Sequence, residues 1–260
     1  MSREIPAYPE GKQLLAGKNV VVTAAAGTGI GFWVARRAIE EGARVLISDL
    51  HERRLRETQE KLAELSGQKC PTVLCDVTKQ EQVEGLCETA VAELGHVDVL
   101  INNAGLGGTA NLLEMTDAKW SKILDVTLTG TMRVTRAFLS HLMERGSGAI
   151  VNNASVVGWR AQAGQSAYAA AKAGVMAFTR CVAIEAAEAG VRVNAVAPSL
   201  AMHEFLSKVT PEGLLEELEK REAFGRAAAP FEVANVMVFL ASDYASYLTG
   251  EVISVSSQHP

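Results

Sequence analysis

Tyr168 and Lys172 are the two residues whose types and spacing point most directly to chemistry. They stand four positions apart in an alanine-rich segment. Four residues are about one helical turn, so a helix places the phenol and the ammonium on one face. Because a cation favours a phenolate, we expect each group to lower the proton affinity of the other. The pair could then exchange a proton with an alcohol or ketone near neutral pH. The same spacing also fits a tyrosine and a lysine exposed on a helix surface.

A glycine-rich turn follows the first β-branched run of the chain. Residues 19–23 predict a buried strand, and a helical stretch begins after the turn. A strand, a glycine turn and a helix together present backbone N–H groups and a helix N-terminus to a pyrophosphate. We therefore expect a dinucleotide to contact Gly27, Thr28, Gly29 and Ile30.

Asp49 ends the second predicted strand, residues 44–48. It follows the glycine turn by about 20 residues, the spacing at which a carboxylate reaches an adenosine ribose. A carboxylate accepts hydrogen bonds from both ribose hydroxyls and repels a 2′-phosphate, so it favours NAD. Arg53 and Arg54 could bind that phosphate instead, which leaves NADP possible, or they could lie in a solvated helical turn.

Two further strand ends carry polar side chains. Asp76 follows the strand predicted at residues 72–75, and Asn102 follows the one at 97–101. Asp76 could meet the adenine amino group, or it could cap the next helix together with Thr78. Ligands of parallel sheets bind beyond the carboxyl ends of the strands, where all of these groups are expected.

The alternation of strands and helices predicts an α/β fold, a doubly wound Rossmann-like parallel sheet of about seven strands with helices on both faces. We expect an N-terminal arm at residues 1–16, a single domain at 17–260, and a substrate lid around 199–228. The other predicted elements are a long helix at 117–144, strands at 148–154, 191–198 and 251–255, and helices from 166 and at 230–241.

Composition excludes several classes of protein. The chain has 260 residues, 48% of them hydrophobic, and a net charge of -5, which argues against nucleic acid as a partner. Its four cysteines lack metal-binding spacing, so we expect no metal and reduced, buried thiols in the cytoplasm. The first 15 residues lack the apolar core of a signal peptide, and no uncharged apolar run is long enough to span a membrane.

In this order, the motifs resemble the short-chain dehydrogenase/reductase family across nearly the whole chain. They are the glycine turn, Asp76-Val77, Asn102-Asn103-Ala104-Gly105, Ser155, Tyr168-x-x-x-Lys172, Asn194-Ala195-Val196-Ala197-Pro198 and Leu248-Thr249-Gly250.

The resemblance implies a role for each catalytic position. Tyr168 becomes the general acid and base, and Ser155, 13 positions earlier, hydrogen-bonds the reacting oxygen. Lys172 binds the nicotinamide ribose and lowers the pKa of the phenol. Thr127 stands where the family has an Asn of a water-linked proton relay. The cofactor contacts implied are Asp76, Val77, Asn103, Ala104, Gly105, Pro198 and Leu200, besides Tyr168 and Lys172.

Four positions depart from the family pattern. Ala24 replaces the first glycine of the turn, which also holds one extra residue, and Thr127 replaces the Asn. Ser199 follows Pro198 where the family has G-x-x-x-T, and residues 256–258 replace D-G-G. These changes affect the positions at which the family contacts the pyrophosphate, relays the proton and binds the carboxamide.

Four stretches, residues 23–31, 48–55, 158–162 and 254–260, resemble one branch of actinobacterial and proteobacterial reductases. That branch acts in the degradation of steroid C and D rings, on the coenzyme A thioester of a hydroxylated hydrindane acid. The resemblance implies an oxidoreductase that interconverts a secondary alcohol and a ketone, with an acyl-CoA-type substrate and a homotetrameric assembly. A 3-oxoacyl thioester reductase and a non-catalytic nucleotide sensor are the alternatives.

Two residues near the predicted site have two interpretations each. Arg160 could meet a phosphate or carboxylate of a CoA substrate, or it could be an exposed arginine. Asn153, inside a strand, could be a site residue, although a hydrogen-bonded core amide is the more common case.

Overall fold

Seven parallel strands form one sheet in the order β3-β2-β1-β4-β5-β6-β7. The computed structural model describes residue 8, residues 10–202 and residues 213–258. The strands are β1 (Asn19–Val22), β2 (Arg44–Asp49), β3 (Thr72–Leu74), β4 (Val99–Asn102), β5 (Gly148–Asn153), β6 (Val191–Pro198) and β7 (Val252–Val255). The predicted α/β class and sheet are therefore confirmed.

Helices cover both faces of this sheet, as predicted. They are α1 (Ile30–Glu40), α2 (Glu52–Ser66), α3 (Gln80–Leu94), α4 (Asp117–Leu124), α5 (Gly130–Glu144), α6 (Ser166–Ala187), α7 (Leu214–Lys220) and α8 (Pro230–Ala241). Strands β1 and β4 are buried along their whole length, because a parallel sheet with helices on both sides has no solvated face at its centre.

The long helix predicted at residues 117–144 is interrupted. Between α4 and α5, residues Asp125–Thr129 form a π-helical segment. Such segments insert an extra residue into the helical ladder and occur often at functional sites. Thr127 lies within it and is fully buried, and both its methyl group and the Lys172 amine lie close to Gly105, so the interruption is near the predicted site.

Helix α6 has the length and apolar composition of a membrane-spanning helix. Its 22 residues include Lys172, and many of its side chains are buried, among them Ala171, Val175 and Ala186. Ala171 packs with Ile123 of α4, and Val175 with the inner residues of β6. An apolar helix in the core of a domain passes the same test of length and composition.

Residues 10–16, part of the predicted N-terminal arm, lie against the end of α1. The buried carboxylate of Glu41 accepts the backbone N–H groups of Lys12 and Leu14 at 2.7 and 2.9 Å, and pairs with Arg37 at 2.6 Å. The Leu15 side chain enters the core. Residues 10–16 are therefore attached to the domain although they form no helix or strand.

The segment expected to form a lid begins after β6 and includes α7. Residues 203–212 of this segment lie outside the described residues. The two ends of the segment meet where Ala201 pairs with Ala228. The cysteines follow the expected pattern only in part, since Cys70 and Cys75 are buried but Cys181 is exposed.

Candidate active site

Ser155, Tyr168 and Lys172 meet between the end of β5 and the first turns of α6. The Ser155 hydroxyl hydrogen-bonds the Tyr168 phenol, and it lies 3.4 Å from the carbonyl oxygen of Pro198. The Lys172 Nζ atom lies 5.5 Å from the centre of the Tyr168 ring. It donates to the backbone carbonyl of Asn153 at 2.5 Å. Lys172 is buried and Tyr168 is partly buried, so the pair predicted from the sequence is not fully exposed on a helix surface.

Burial controls the protonation of this pair. It raises the pKa of Tyr168 to about 12, against a smaller lowering by the hydrogen bond from Ser155. It lowers the pKa of Lys172 to about 7. Both shifts favour the uncharged form, as expected for groups removed from water. The expectation that the ammonium makes the phenol more acidic is thus wrong in direction, because desolvation is the largest influence on both pKa values.

Thr127 supports the loop that follows β4. Its hydroxyl accepts the N–H of Leu106 at 2.9 Å and lies 3.3 Å from the carbonyl oxygen of the same residue. A Cβ atom on Gly105 would lie 3.4 Å from Lys172 Nζ and 3.9 Å from the Thr127 methyl group. A hydroxyl has one proton and two lone pairs, so these bonds leave it one lone pair. Thr127 therefore lies near the lysine, but its hydrogen bonds are to the backbone of Leu106.

The backbone of the glycine turn shows the effect of one departure from the family pattern, Ala24 in place of the first glycine. Ala24 has a φ of 49°, in the left-handed region that favours glycine. A Cβ atom on Gly31 would lie only 2.4 Å from the Ala24 carbonyl oxygen and 2.5 Å from Asn103 Nδ2. Glycine at 31 therefore allows α1 to approach the turn closely, whereas Ala24 is a strained substitution.

Two N–H groups of the turn donate to protein side chains, whereas the N-terminus of α1 that follows has no side-chain cap. Ala26 donates to Asp49 Oδ2 at 3.1 Å, and Gly27 donates to the Thr58 hydroxyl at 3.0 Å. Helix α1 begins at Ile30 with no side-chain cap and no acidic residue in its first turn. Its first N–H groups have no partner within the helix and favour an anion. Among the predicted contacts, Gly27 thus faces Thr58, while Ile30 opens the helix.

Asp49 lies at the end of β2, where the sequence predicted it. Its Oδ1 accepts the N–H of His51 at 3.0 Å, so both carboxylate oxygens are hydrogen-bonded. Burial raises its pKa, and the N–H of Ala26 and the nearby charge of Arg54 oppose that rise. Arg53 instead pairs with Glu57 at 2.9 Å on the exposed side of α2.

The remaining predicted contacts lie at neighbouring strand ends. Asp76 accepts the N–H and hydroxyl of Thr78 at 2.9 and 2.8 Å in the turn before α3. The N-cap of α3 is Lys79, whose side chain makes no capping hydrogen bond, so the expectation that Asp76 caps this helix is wrong. Val77 is buried behind it, against Gly130. Ala104 donates its N–H to the Thr23 hydroxyl at 3.3 Å.

The loop after the catalytic serine position contacts the C-terminal tail. Arg160 is half-buried, and its guanidinium donates to the side-chain oxygen of Gln258 at 2.5 Å. Gln258 in turn donates to the carboxylate of Glu222, near the second end of the predicted lid, at 2.8 Å. The carbonyl of Leu200 accepts the N–H of Ala228 beside it at 2.8 Å. Neither sequence-based interpretation of Arg160 describes this bond to the tail.

Comparison with known proteins agrees with this geometry. Residues 24–257 match the family model described as enoyl-(acyl carrier protein) reductase. A (5R,7aS)-5-hydroxy-7a-methyl-1-oxo-2,3,5,6,7,7a-hexahydro-1H-indene-carboxyl-CoA reductase from Mycobacterium tuberculosis is 61% identical, over 96% of this chain and 96% of that protein. A crystal structure of a short chain dehydrogenase from Mycobacterium smegmatis has a TM-score of 0.88 and 55% identity, over 99% of both chains.

The chain belongs to the short-chain dehydrogenase/reductase family. Another relative, a 3-oxoacyl-(acyl-carrier-protein) reductase from Thermotoga maritima, is 39% identical over 93% of this chain and 97% of that protein. As a short-chain dehydrogenase/reductase, the protein is an oxidoreductase of hydroxyl and keto groups that uses NAD or NADP.

Two further residues of this short-chain dehydrogenase/reductase contribute to the site: Thr58, which was not predicted, and Asn153, for which a core amide was the favoured interpretation. Thr58, in the middle of α2, binds the Gly27 N–H. Asn153 donates its side-chain amide to Asn103 Oδ1 at 2.9 Å while its carbonyl holds Lys172. A polar residue inside a predicted apolar strand was the available signal for Asn153, whereas Thr58 has no signal in the sequence, because its partner is 31 residues away.

Proposed function

We propose that the protein is an NAD-dependent oxidoreductase that interconverts a secondary alcohol and a ketone on the CoA thioester of a steroid-derived hydrindane acid. The observation that carries the reaction type is the meeting of Ser155, Tyr168 and Lys172 beside the glycine turn. The substrate class follows from the name of the Mycobacterium tuberculosis relative.

The residues at this edge fit a dinucleotide. The uncapped N-terminus of α1 favours a pyrophosphate, and Gly31 keeps side-chain atoms away from the turn. Thr28 and Gly29 precede that helix. Asp49, Asn103 and the loop to Gly105 would bind the ribose and nicotinamide portions, and Lys172 lies behind that loop.

The protein's own groups would handle the proton. Because its pKa is raised to about 12, the Tyr168 phenol keeps its proton at neutral pH and can donate it to a ketone oxygen that gains negative charge. Ser155 supplies a second hydrogen bond to the same oxygen. Donors already aimed at a developing charge stabilise the transition state most in a site shielded from water. The nicotinamide supplies or accepts the hydride.

Lys172 would supply the charge that the phenol needs in the reverse direction. With a pKa of about 7, its amine can hold or release a proton near neutral pH. A charged Lys172 at 5.5 Å from the ring centre stabilises a phenolate, and this assists alcohol oxidation. Thr127 would act as a positioning residue, since its hydroxyl holds the loop in front of the lysine.

Preference for NAD is supported by the environment of Asp49. Its carboxylate is held by two N–H groups at the end of β2, where a 2′-phosphate would meet a second negative charge. Arg53 is paired with Glu57, which leaves Arg54 as the nearby cation. The proposed cofactor is therefore NAD, with NADP as the disfavoured form.

The test is a spectrophotometric assay with the purified protein. NADH or NADPH oxidation is followed with the hydrindanone carboxyl-CoA and, separately, with 3-oxoacyl-CoA thioesters of several chain lengths. We expect the highest kcat/KM with NADH and the hydrindanone. Faster turnover of 3-oxoacyl thioesters would favour the biosynthetic-type reductase, and binding of NADH without turnover of any ketone would favour a nucleotide sensor.

Assembly and location are part of the proposal. Strand β7 is the edge of the sheet, and exposed apolar side chains lie near it on the chain: Phe239, Tyr244 and Tyr247, besides Ile184 on α6. We propose that these surfaces form a homotetramer in the cytoplasm. Analytical ultracentrifugation of the wild type is expected to give four times the mass of one chain, and a monomer would contradict it.

We also propose that the chain divides into an arm, a domain and a lid. Residues 1–16 are proposed as an arm and 17–260 as one catalytic domain. Within it, the segment 199–228 is proposed to cover the substrate. Limited proteolysis with and without NADH is expected to show slower cleavage in that segment when the dinucleotide is present. Equal cleavage rates would contradict the lid.

A further inference from the structure

A continuous row of hydrogen bonds joins the glycine turn to the lysine of α6. Asn103 Nδ2 donates to the carbonyl of Ala24 at 2.9 Å. Asn153 Nδ2 donates to Asn103 Oδ1, also at 2.9 Å. Lys172 Nζ then donates to the carbonyl oxygen of Asn153. One residue, Asn153, therefore contacts both the residue that holds the turn and the lysine beside the phenol.

The first two hydrogen bonds of this row fix the orientation of the Asn103 side-chain amide. Asn103 must present its NH2 group to Ala24, because a carbonyl oxygen can only accept. An amide turned by 180° would place its oxygen there instead. The NH2 group of Asn153 binds the oxygen end of Asn103, and this selects the orientation that the strained turn requires.

The second half of the row fixes a backbone carbonyl. Asn153 is the last residue of β5, and its carbonyl oxygen receives the Lys172 ammonium. The bond between the side chain of Asn153 and Asn103 connects this strand end to the loop after β4. A shift of that strand end would displace the acceptor of Lys172.

We propose that Asn153 is a positioning residue that sets the glycine turn and Lys172 together. This inference rests on the proposed function, since it concerns the same site. The side chain does more than fill the core, because its Oδ1 is buried without a hydrogen-bond partner among the described residues. An apolar side chain of that size would leave no such atom, so the polar contact to Asn103 is retained at a cost to stability.

The neighbouring Asn152 is a matched control. It precedes Asn153 in β5, and its side chain faces the other side of the sheet. It is fully buried, whereas Asn153 is partly buried. Its oxygen accepts from Asn102 and its amide donates to Thr179, both at 2.9 Å. It therefore shares the strand and the residue type with Asn153, but it contacts neither the residue that holds the turn nor the lysine.

The test measures NADH binding by fluorescence in the full-length protein, with turnover measured in parallel. We expect Asn153→Leu to raise the Kd for NADH about tenfold and to lower kcat as well. Asn152→Leu is expected to lower the melting temperature but to leave the Kd within about twofold of wild type. An unchanged Kd and kcat in Asn153→Leu would overturn the inference.

A double-mutant cycle shows whether the effect passes through Asn103. Asn103→Leu and Asn153→Leu together are expected to weaken NADH binding no more than the stronger single change, because both break one row of bonds. Additive losses would contradict the proposal. If Asn153→Leu does not fold, Asn103→Ala breaks the same bond from its other end, and a wild-type Kd in that variant would equally overturn the inference.

The two proposals fail in different ways. If the wild type binds NADH but reduces no ketone, the proposed function fails, while the Kd of each variant still decides the inference. If the wild type reduces the hydrindanone and Asn153→Leu matches it in Kd and kcat, the inference fails and the proposed function stands.

Discussion

The amine of Lys172 lies 5.5 Å from the centre of the Tyr168 ring; the lysine is buried and the tyrosine is partly buried. Removal from water raises the pKa of the phenol and lowers the pKa of the amine, so each shift favours the uncharged form of that group. A protonated phenol beside a serine hydroxyl is arranged to donate a proton. This arrangement suits ketone reduction directly, and it requires the lysine to become charged for the reverse reaction.

Replacing Tyr168 with Phe should abolish turnover without abolishing cofactor binding. The ring and its packing remain, and only the proton donor next to Ser155 is lost. We expect kcat to fall by about 10²- to 10⁴-fold, the range typical of a general acid or base. NADH titration by fluorescence should give a Kd close to wild type. Turnover within tenfold of wild type would remove Tyr168 from the proposed role.

Replacing Asp49 with Asn should narrow the preference for NAD. An asparagine keeps an acceptor for one of the two N–H groups, from Ala26 or His51, but removes the charge. We expect the ratio of kcat/KM for NADH to that for NADPH to fall. Asp49→Ala, which also removes the acceptor, should weaken both cofactors. A wild type that already prefers NADPH would contradict the assignment of this carboxylate.

Replacing Ala24 with Gly should stabilise the protein. A φ of 49° is unfavourable for alanine and not for glycine. The greater freedom of glycine in the unfolded chain offsets part of this gain. We expect a net gain of about 0.5–1 kcal/mol in the free energy of unfolding, measured with urea. Ala26→Gly is the control, because φ is not positive at Ala26 and the change should destabilise. Equal effects of the two changes would mean that Ala24 is not strained.

The stability of the protein should depend on pH through Lys172. Its pKa is about 7 in the folded chain and near ~10.5 when exposed, so between these values the unfolded chain binds the extra proton. Stability therefore rises with pH in this window, by at most about 1.4 kcal/mol per pH unit. Relative to Lys172→Met, the wild type should gain stability between pH 7 and 9.5. Parallel stability curves would show that the amine is not desolvated.

Much of the fold could be predicted from the sequence because its signals are local. The alternating strands and helices, the glycine turn and the position of Asp49 depend on neighbouring residues only. The interruption at Asp125–Thr129 could not be predicted, because the segment has ordinary helical neighbours and is shaped by what packs around it. The exposure of Cys181 likewise depends on which face of α6 meets the sheet.

The site divides in the same way. Sequence alone determined that Tyr168 and Lys172 share a helix face, because four residues make about one turn whatever surrounds them. Only the tertiary structure decided the direction of the phenol's pKa shift, since burial depends on the whole chain. It also joined Asn103 to Asn153 and Arg160 to Gln258, residues 50 and 98 positions apart. Local periodicity contains no information on contacts at such separations, and these contacts set the protonation and the alignment of the site.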